Sequence, residues 1–257
     1  MSFLRSNLVV LYRWIALLRH DPISMVTVLV QPLLWLVLFG NQMSSITSGS
    51  VPGGNYIAFM TASSAVMTVF NSAIYGGLDM LFDRESGIFD RILASPISRV
   101  ALITGRFTYI IGITTIQCAL LFIGAFSLGV RPAGGIPGVL VILVINALFC
   151  AGVTTVSMIL AFVVPSHPQF FSIIGFAGLP ILFLSSALVP LNRMPEWLRI
   201  ISSLNPMTHA IEATRSLVIT GWDFPTLGMM FGLLIGFDVA ILLVASRIFS
   251  KSLGGRR

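Results

Sequence analysis

The feature that most constrains this chain is a set of long stretches without any charged residue. No Asp, Glu, Lys or Arg lies between Asp21 and Asp79, between Arg106 and Arg131, or between Arg131 and Arg193. A helix needs about 20 apolar residues to cross a bilayer, and each stretch is at least that long. Only 9% of the residues are charged, against about 25% in soluble domains. The composition therefore excludes a soluble enzyme, a disordered chain and a nucleic-acid-binding domain.

Six apolar segments predict an all-α polytopic membrane protein, built as a single transmembrane domain over residues 1–257. The predicted spans lie near 23–40, 56–81, 102–129, 138–164, 170–190 and 225–246. Residues 2–20 carry arginines on one helical face and apolar residues on most of the other, which predicts an interfacial helix. A secretory signal is the competing interpretation. No small-residue cleavage site follows, so we expect this segment to be retained.

The distribution of Lys and Arg predicts the orientation. With the N-terminus inside, the inner segments hold eleven of these residues and the outer segments hold four. Cytoplasmic loops carry the excess of positive charge, so both termini are expected in the cytoplasm. The net charge of +6 then belongs to loops that face lipid headgroups rather than to a nucleic-acid-binding surface.

The inner loop after the second span contains a short amphipathic helix within about 83–96. Its apolar stripe consists of Ile88, Phe89, Ile92 and Leu93, and its charged residues include Glu85, Asp90 and Arg91. Such a helix either lies on the membrane or fills a groove on a partner protein. Periodicity alone favours the membrane surface.

The outer segment 190–224 predicts two short helices. Pro195 opens the first, in which Trp197 lies on an apolar face with Ile200, Ile201 and Leu204. Asn205 and Pro206 pair an N-cap residue with a proline in the first turn and start the second helix. Glu212 and Arg215 are three residues apart and can form an ion pair. The pattern fits a re-entrant hairpin, and two interfacial helices that cap the bundle are the alternative.

The last predicted span carries two further features. Gly228, Gly232 and Gly236 repeat every four residues, a spacing that allows close helix packing within the chain or across a dimer. Asp238 lies near the centre of the span, where a carboxylate is costly, so we expect it to face protein or water or to be protonated. Pathway lining and structural pairing both remain open for Asp238.

No catalytic or metal-binding pattern is present. The single lysine, Lys251, is not part of a Gly-Lys-Ser/Thr phosphate-binding loop, so work done with ATP must be powered by another polypeptide. Cys118 and Cys150 lie in apolar runs and are interpreted as small buried side chains. The three histidines fall in different segments on two sides of the membrane and cannot form one metal site.

Two stretches of the sequence resemble the type-two family of ATP-binding-cassette (ABC) exporter permeases. The first runs from Arg84 through Pro96 to Arg99 and is followed by Gly105-Arg106. The second comprises Pro180, 184–190, 194–197, 204–206 and Arg215, and is similar to the family's Ser-Gly…Pro…Met-Pro-x-Trp…Asn-Pro…Arg run. Ala187 stands where the family usually has glycine, and His209 where an aromatic residue is common.

The resemblance implies a fold with six spans, an amphipathic leading helix, a cytoplasmic coupling helix and an outer re-entrant hairpin. Residues from Glu85 and Gly87 through Leu93 would then seat in a groove of a separate ATPase subunit. This reverses the preference for the membrane surface that periodicity alone gives. The hairpin at 195–218 would gate the outer end of a path enclosed by two subunits.

The resemblance also implies partners and a location. A homodimer or a paralogue pair would assemble with two ATPase copies in the bacterial inner membrane. ATP and Mg would be bound by the ATPase, with no cofactor on this chain, and the substrate would be a drug, lipid or lipid-linked glycan. The rival hypotheses are an ion- or proton-coupled carrier with Asp238 as the titrating group, and a non-transporting scaffold.

Overall fold

The computed structural model describes residues 55–87 and 99–254, with a few helical positions between 30 and 40. These ranges are helical and contain no β-strand. The helices are α1 Tyr56–Ile74, α2 Leu78–Glu85, α3 Arg99–Ser127, α4 Gly135–Val163, α5 His167–Phe183, α6 Glu196–Leu204, α7 Pro206–Arg215 and α8 Phe224–Gly254. A 3-10 turn at Leu191–Arg193 precedes α6, and a π-helical turn at Ser216–Thr220 follows α7.

Four of these helical segments are long and apolar enough to cross a membrane. They are Tyr56–Glu85, Thr104–Ser127, Gly135–Val163 and Phe224–Ile248, and they correspond to predicted spans two, three, four and six. The predicted leading helix at 2–20 and most of the first span at 23–40 lie outside the described residues.

The fifth predicted span, 170–190, is shorter in the structure than the sequence suggested. Its helix α5 has 17 residues and ends at Phe183, because Ser185 donates its hydroxyl to the Leu182 carbonyl at 2.6 Å and the chain turns. A side-chain hydroxyl that donates to a backbone carbonyl competes with the backbone N–H that would donate to that carbonyl in a continued helix. The hydropathy of residues 184–190 therefore concealed a turn.

The helix α1 lies at the centre of the bundle. It packs against α3, α4 and α7, whereas α8 packs mainly on α4 and α7. The buried Thr61 and Thr68 hydroxyls donate to the Ile57 and Ser64 carbonyls at 2.8 and 2.7 Å. Polar side chains bonded to their own helix carry little burial cost, which explains how this sequence can lie in the core.

The second predicted span is interrupted at Gly76–Gly77, where α1 ends and α2 begins. Ser157 of α4 donates its hydroxyl to the Ile74 carbonyl at 2.5 Å and accepts from the Gly77 N–H at 2.8 Å. Arg106 of α3 donates its Nε–H to the Gly76 carbonyl at 3.0 Å. Two neighbouring helices therefore satisfy the backbone groups that this break exposes.

The helices run back and forth between two ends of the bundle. The α2 end holds the end of α4, the start of α5 and the Glu85–His167 contact. The opposite end, called the hairpin end, holds α6, α7 and the start of α1.

Candidate functional site

The predicted pair of short helices is present at the hairpin end. Pro195 is the N-cap of α6, and Asn205 is both the C-cap of α6 and the N-cap of α7. The Asn205 Oδ1 accepts from the Met207 N–H at 3.0 Å, and Pro206 takes the first helical position. The local chemistry that predicted two helices joined at Asn205 is thus the chemistry that forms them.

The helix α6 exposes its apolar face. Trp197, Ile200, Ile201 and Leu204 are all exposed, whereas Ser202 is fully buried against the bundle. Trp222 and Phe224, stacked at 5.7 Å between ring centroids, are also exposed at this end. Tryptophan and other apolar residues in this pattern favour the boundary between a membrane and water.

The helix α7, in contrast, is buried, and Arg215 attaches it to the core. Its guanidinium contacts Glu212 at 2.5 Å, the Ser63 hydroxyl of α1 at 3.1 Å and the Ser186 carbonyl at 2.7 Å. The guanidinium carbon also lies 3.8 Å from the centroid of the Phe59 ring. Burial lowers the pKa of Arg215, and the Glu212 carboxylate opposes that shift. The predicted Glu212–Arg215 pair is confirmed, and it is part of a larger network.

His209 faces α8 from α7 and places its Nδ1 3.3 Å from the Met230 sulfur. Burial lowers the pKa of His209 below its ordinary value of 6.5, while a backbone hydrogen bond with Ser203 and the charge of Glu212 oppose the shift. The folded protein therefore favours the neutral imidazole.

We expect His209 to make the protein less stable in acid. The unfolded chain binds a proton near the ordinary pKa, whereas the folded chain resists protonation, so stability falls as the pH drops from about 6.5 through the folded pKa. Thermal unfolding of wild type and His209→Phe at pH 7.5 and 5.0 measures this. The acid-induced fall in Tm should be smaller in the variant, and an equal fall in both would contradict the assignment.

The α2 end is held together by polar contacts from α2 to three other helices. Asp79 pairs with the almost fully buried Arg106 of α3. Arg84 donates to the carbonyls of Ala161 and Phe162 at 2.7 and 3.0 Å, at the end of α4. Lysine or arginine at the last carbonyls of a helix satisfies groups that the helix cannot.

Glu85 makes the third of these contacts. Its Oε1 accepts from the His167 N–H at 3.2 Å and its Oε2 contacts His167 Nδ1, at the start of α5. Gly87 then follows α2 with a φ of 70°, a conformation that glycine adopts without strain. The other residues of the predicted ATPase-binding surface, Ile88 through Leu93, lie outside the described residues.

Sequence reasoning missed most of this polar end. It used the arginines only to predict the orientation and the histidines only to exclude a metal site, without assigning partners to Arg84, Arg106 or His167. A signal was available, since a charged residue next to an apolar helix needs a partner. The partners are backbone carbonyls and distant side chains, which sequence spacing alone does not identify.

The structure places the predicted features of the last span at different positions around α8. Apart from the adjacent residues and backbone of α8 itself, no described atom lies within 4 Å of a methyl group added at Gly228, Gly232 or Gly236. The packing role of these glycines stays a prediction. Asp238 is buried, and its Oδ1 lies 2.2 Å from the position of a methyl group added at Gly152 of α4. Its carboxylate therefore faces protein, in the interface between α4 and α8.

A groove of about 150 Å³ opens between α1 and α5. Asn71 of α1 and Tyr75, which caps the end of α1, lie along it and are both exposed. On the α5 side, Gly175 and Gly178 leave open space. Asn71 lies at the middle of the 30-residue segment Tyr56–Glu85, so the groove presents an amide at membrane depth.

Membrane-length apolar helices, a buried polar network and an exposed mid-membrane groove define a polytopic α-helical membrane protein. The chain belongs to the ABC-2 type transporter family, whose family model matches residues 6–219. It is a permease subunit of an ABC transporter, as the sequence resemblance implied.

Three relatives cover most of the chain. The ycf38 protein of Porphyra purpurea, named as a transport permease, is 33% identical over 90% of this chain and 84% of its own length. The protein of the same name from Cyanophora paradoxa is 32% identical over 97% of this chain and 90% of its own. The daunorubicin resistance ABC transporter permease protein DrrB1 of Streptomyces coeruleorubidus is 26% identical over 95% of this chain and 86% of its own.

Proposed function

We propose that this permease exports a hydrophobic or amphipathic substrate, such as a drug, a lipid or a lipid-linked glycan, along the α1–α5 groove. The observation that carries the proposal is the exposure of Asn71 at the middle of its span. A polar group exposed to hydrocarbon costs several kcal/mol, so this surface faces protein or water rather than lipid. A second permease subunit opposite the groove, a copy or a paralogue, would enclose a path.

The proposed topology has six spans, with the α2 end in the cytoplasm of a bacterial cell and the hairpin end outside. The eleven-to-four distribution of Lys and Arg supports this orientation. The exposed apolar face of α6 would then lie in the outer membrane–water interface. The hairpin of α6 and α7 would close the outer end of the path.

The energy would come from two copies of a separate ATPase that bind ATP and Mg. Residues 88–93 begin three positions after Glu85, the last residue of α2, so an ATPase bound there would be joined to α2 through a short segment of chain. A nucleotide changes the state of the permease only through a difference in its affinity for the two states. ATP must therefore bind the closed ATPase pair better than the open one.

We expect Phe89→Asp to separate the permease from its ATPase. A carboxylate in an apolar groove loses its hydration without gaining a partner, which weakens docking. The measurement is the amount of ATPase that co-purifies with the permease and the ATP-dependent export by the pair. Phe89→Leu, which keeps an apolar side chain, is the matched control. Normal export by Phe89→Asp with its ATPase still bound would overturn the assignment of this helix.

Reconstitution tests the function itself. The chain would be placed in proteoliposomes with a candidate P-loop ATPase partner. Daunorubicin, chosen because a relative is named for resistance to it, and a fluorescent phospholipid serve as probes. ATP turnover that rises with either probe supports an exporter. Transport by the purified chain without an ATPase, or no response of ATP turnover to either probe, contradicts it.

The second candidate is an ion- or proton-coupled carrier. It is supported by the buried Asp238 carboxyl, whose Oδ1 has no hydrogen-bond partner among the described residues. A pH gradient that drives probe uptake without the ATPase, and that fails to do so in Asp238→Asn, would favour this candidate. ATP-driven export that survives Asp238→Asn favours the ABC exporter.

A further inference from the structure

Helix α5 packs on the described bundle through one face of its first half and through its last turn, and its other face is open. Phe170 and Ile174, in its first half, are its buried side chains. Farther along, Phe176 is 82% exposed, and Gly175 and Gly178 have open space around them. On the side that carries Phe176, the middle of α5 makes no close contact with the described bundle, so displacement of this stretch breaks few packing contacts.

At the α2 end, the attachment is made by the last turn of α2. Both oxygens of the Glu85 carboxylate contact His167, one at its backbone N–H and one at its ring. The Phe82 ring lies 3.7 Å from the His167 ring between centroids. Glu85 is also three residues from Ile88, the first apolar residue of the proposed ATPase-binding surface.

At the hairpin end, Ile181 and Leu182 of α5 pack against the core, and the side chain of Asn205 makes hydrogen bonds to the same turn. Its Nδ2 donates to the carbonyls of Ile181 and Leu184 at 2.8 and 2.9 Å, at the end of α5. Its Oδ1 caps the start of α7 at the same time. The Asn205 amide therefore joins the last turn of α5 to the first turn of α7, and Thr208 and Arg215 of α7 hold Ser186, which follows α5.

We propose that α5 transmits displacement between the ATPase-binding segment and the outer hairpin, with Glu85 and Asn205 as the positioning residues at its two ends. The direction in which the displacement travels, from the ATPase to the hairpin, rests on the proposed function. The link spans a 17-residue helix, which is about 25 Å long. The attachments at Glu85 and Asn205 both include hydrogen bonds, which are directional. When one end of α5 shifts, these bonds therefore move the segment attached to the other end.

The test measures whether a change at one end is felt at the other. Ser202→Cys places a thiol on the buried face of α6, three residues before Asn205. Its labelling rate by a water-soluble maleimide, in the full chain in nanodiscs, reports how often the hairpin opens. The parent protein with only Cys118 and Cys150 gives the background, since both thiols are buried. No ATPase or substrate is present, so the outcome does not depend on the proposed function.

We expect Glu85→Ala to raise the labelling rate at position 202 by about fivefold or more, which is the lower range of measured coupling between sites. Glu85→Gln should raise it less, because its side-chain oxygen still accepts from the His167 N–H. Asp79→Asn is the matched control. It also removes a carboxylate of α2, but that carboxylate pairs with Arg106 of α3 and not with α5. An unchanged rate in Glu85→Ala, or an equal rise in Asp79→Asn, overturns the proposal.

A second variant distinguishes transmission from general loosening. Asn205→Asp keeps the oxygen that caps α7 and removes the two hydrogen bonds donated to α5. Once that attachment is lost, Glu85→Ala should have no further effect on the labelling rate, so the two changes are not additive. Additive effects of Glu85→Ala and Asn205→Asp would mean that each loosens the protein separately, and would contradict the link.

Discussion

Replacement of Arg215 by methionine is expected to destabilise the protein by about 3 to 5 kcal/mol, because the change removes one partner of a buried ion pair. Arg215 is 4% exposed and donates to three groups on different segments. Methionine fills the space but leaves the Glu212 carboxylate, the Ser186 carbonyl and the Ser63 hydroxyl without this donor. Thermal unfolding in detergent, followed by loss of the monodisperse peak, measures the change.

Two variants make this result specific to the buried network. Arg199→Met removes an exposed arginine of α6 and is expected to change stability by less than about 0.5 kcal/mol. The double variant Arg215→Met/Glu212→Gln should recover part of the loss, because no unpaired carboxylate remains. A double variant as unstable as Arg215→Met alone would show that the ion pair is not the cause.

Gly77→Ala is expected to be the second large effect. A methyl group at Gly77 would lie 2.3 Å from the Ser157 carbonyl oxygen, which belongs to the α4 backbone and cannot move aside as a side chain can. Overpacking of this kind costs about 1 to 3 kcal/mol. It would also separate the Gly77 N–H from the Ser157 hydroxyl, which adds about 1 kcal/mol. The Tm of the purified protein should fall accordingly.

Gly112→Ala is the control, and its expected effect on stability has the opposite sign. Gly112 lies within α3, and apart from the adjacent residues and backbone of α3 itself no described atom lies within 4 Å of a methyl group added there. Alanine is favoured over glycine in a helix by about 0.5 to 1 kcal/mol, so this variant should be slightly more stable. If Gly77→Ala were as well tolerated as Gly112→Ala, the close approach of α4 to this break would be wrong.

The hairpin shows how much of a functional region local sequence can predict. Asn205 with Pro206 set the boundary between two short helices, and both residues act at the positions that their chemistry favours. The apolar face of α6 and the Glu212–Arg215 pair followed from helical spacing alone. These features depend on residues within one turn of each other, so no knowledge of the fold was needed.

The remaining partners of Arg215 and Glu85 could not be predicted in this way. Arg215 reaches Ser63, which is 152 positions away in the sequence, and Glu85 reaches His167, which is 82 positions away. The break at Gly76–Gly77 was hidden inside one apolar run, because the hydroxyl that stabilises it belongs to another helix. The end of α5 was concealed for a similar reason, since hydropathy does not distinguish a helix from a buried turn.

By itself, the sequence determined that this protein is a membrane protein, because its long runs without charge are suited to the hydrocarbon core of a bilayer. In that environment backbone groups find no water, and a helix satisfies them internally. It also determined the helical class and the local form of the hairpin, which depend on residue chemistry at short range. The tertiary structure alone decided which polar groups are joined and where an amide is left open at membrane depth. Those outcomes depend on which helices lie side by side, and packing, rather than the order of residues along the chain, fixes that arrangement.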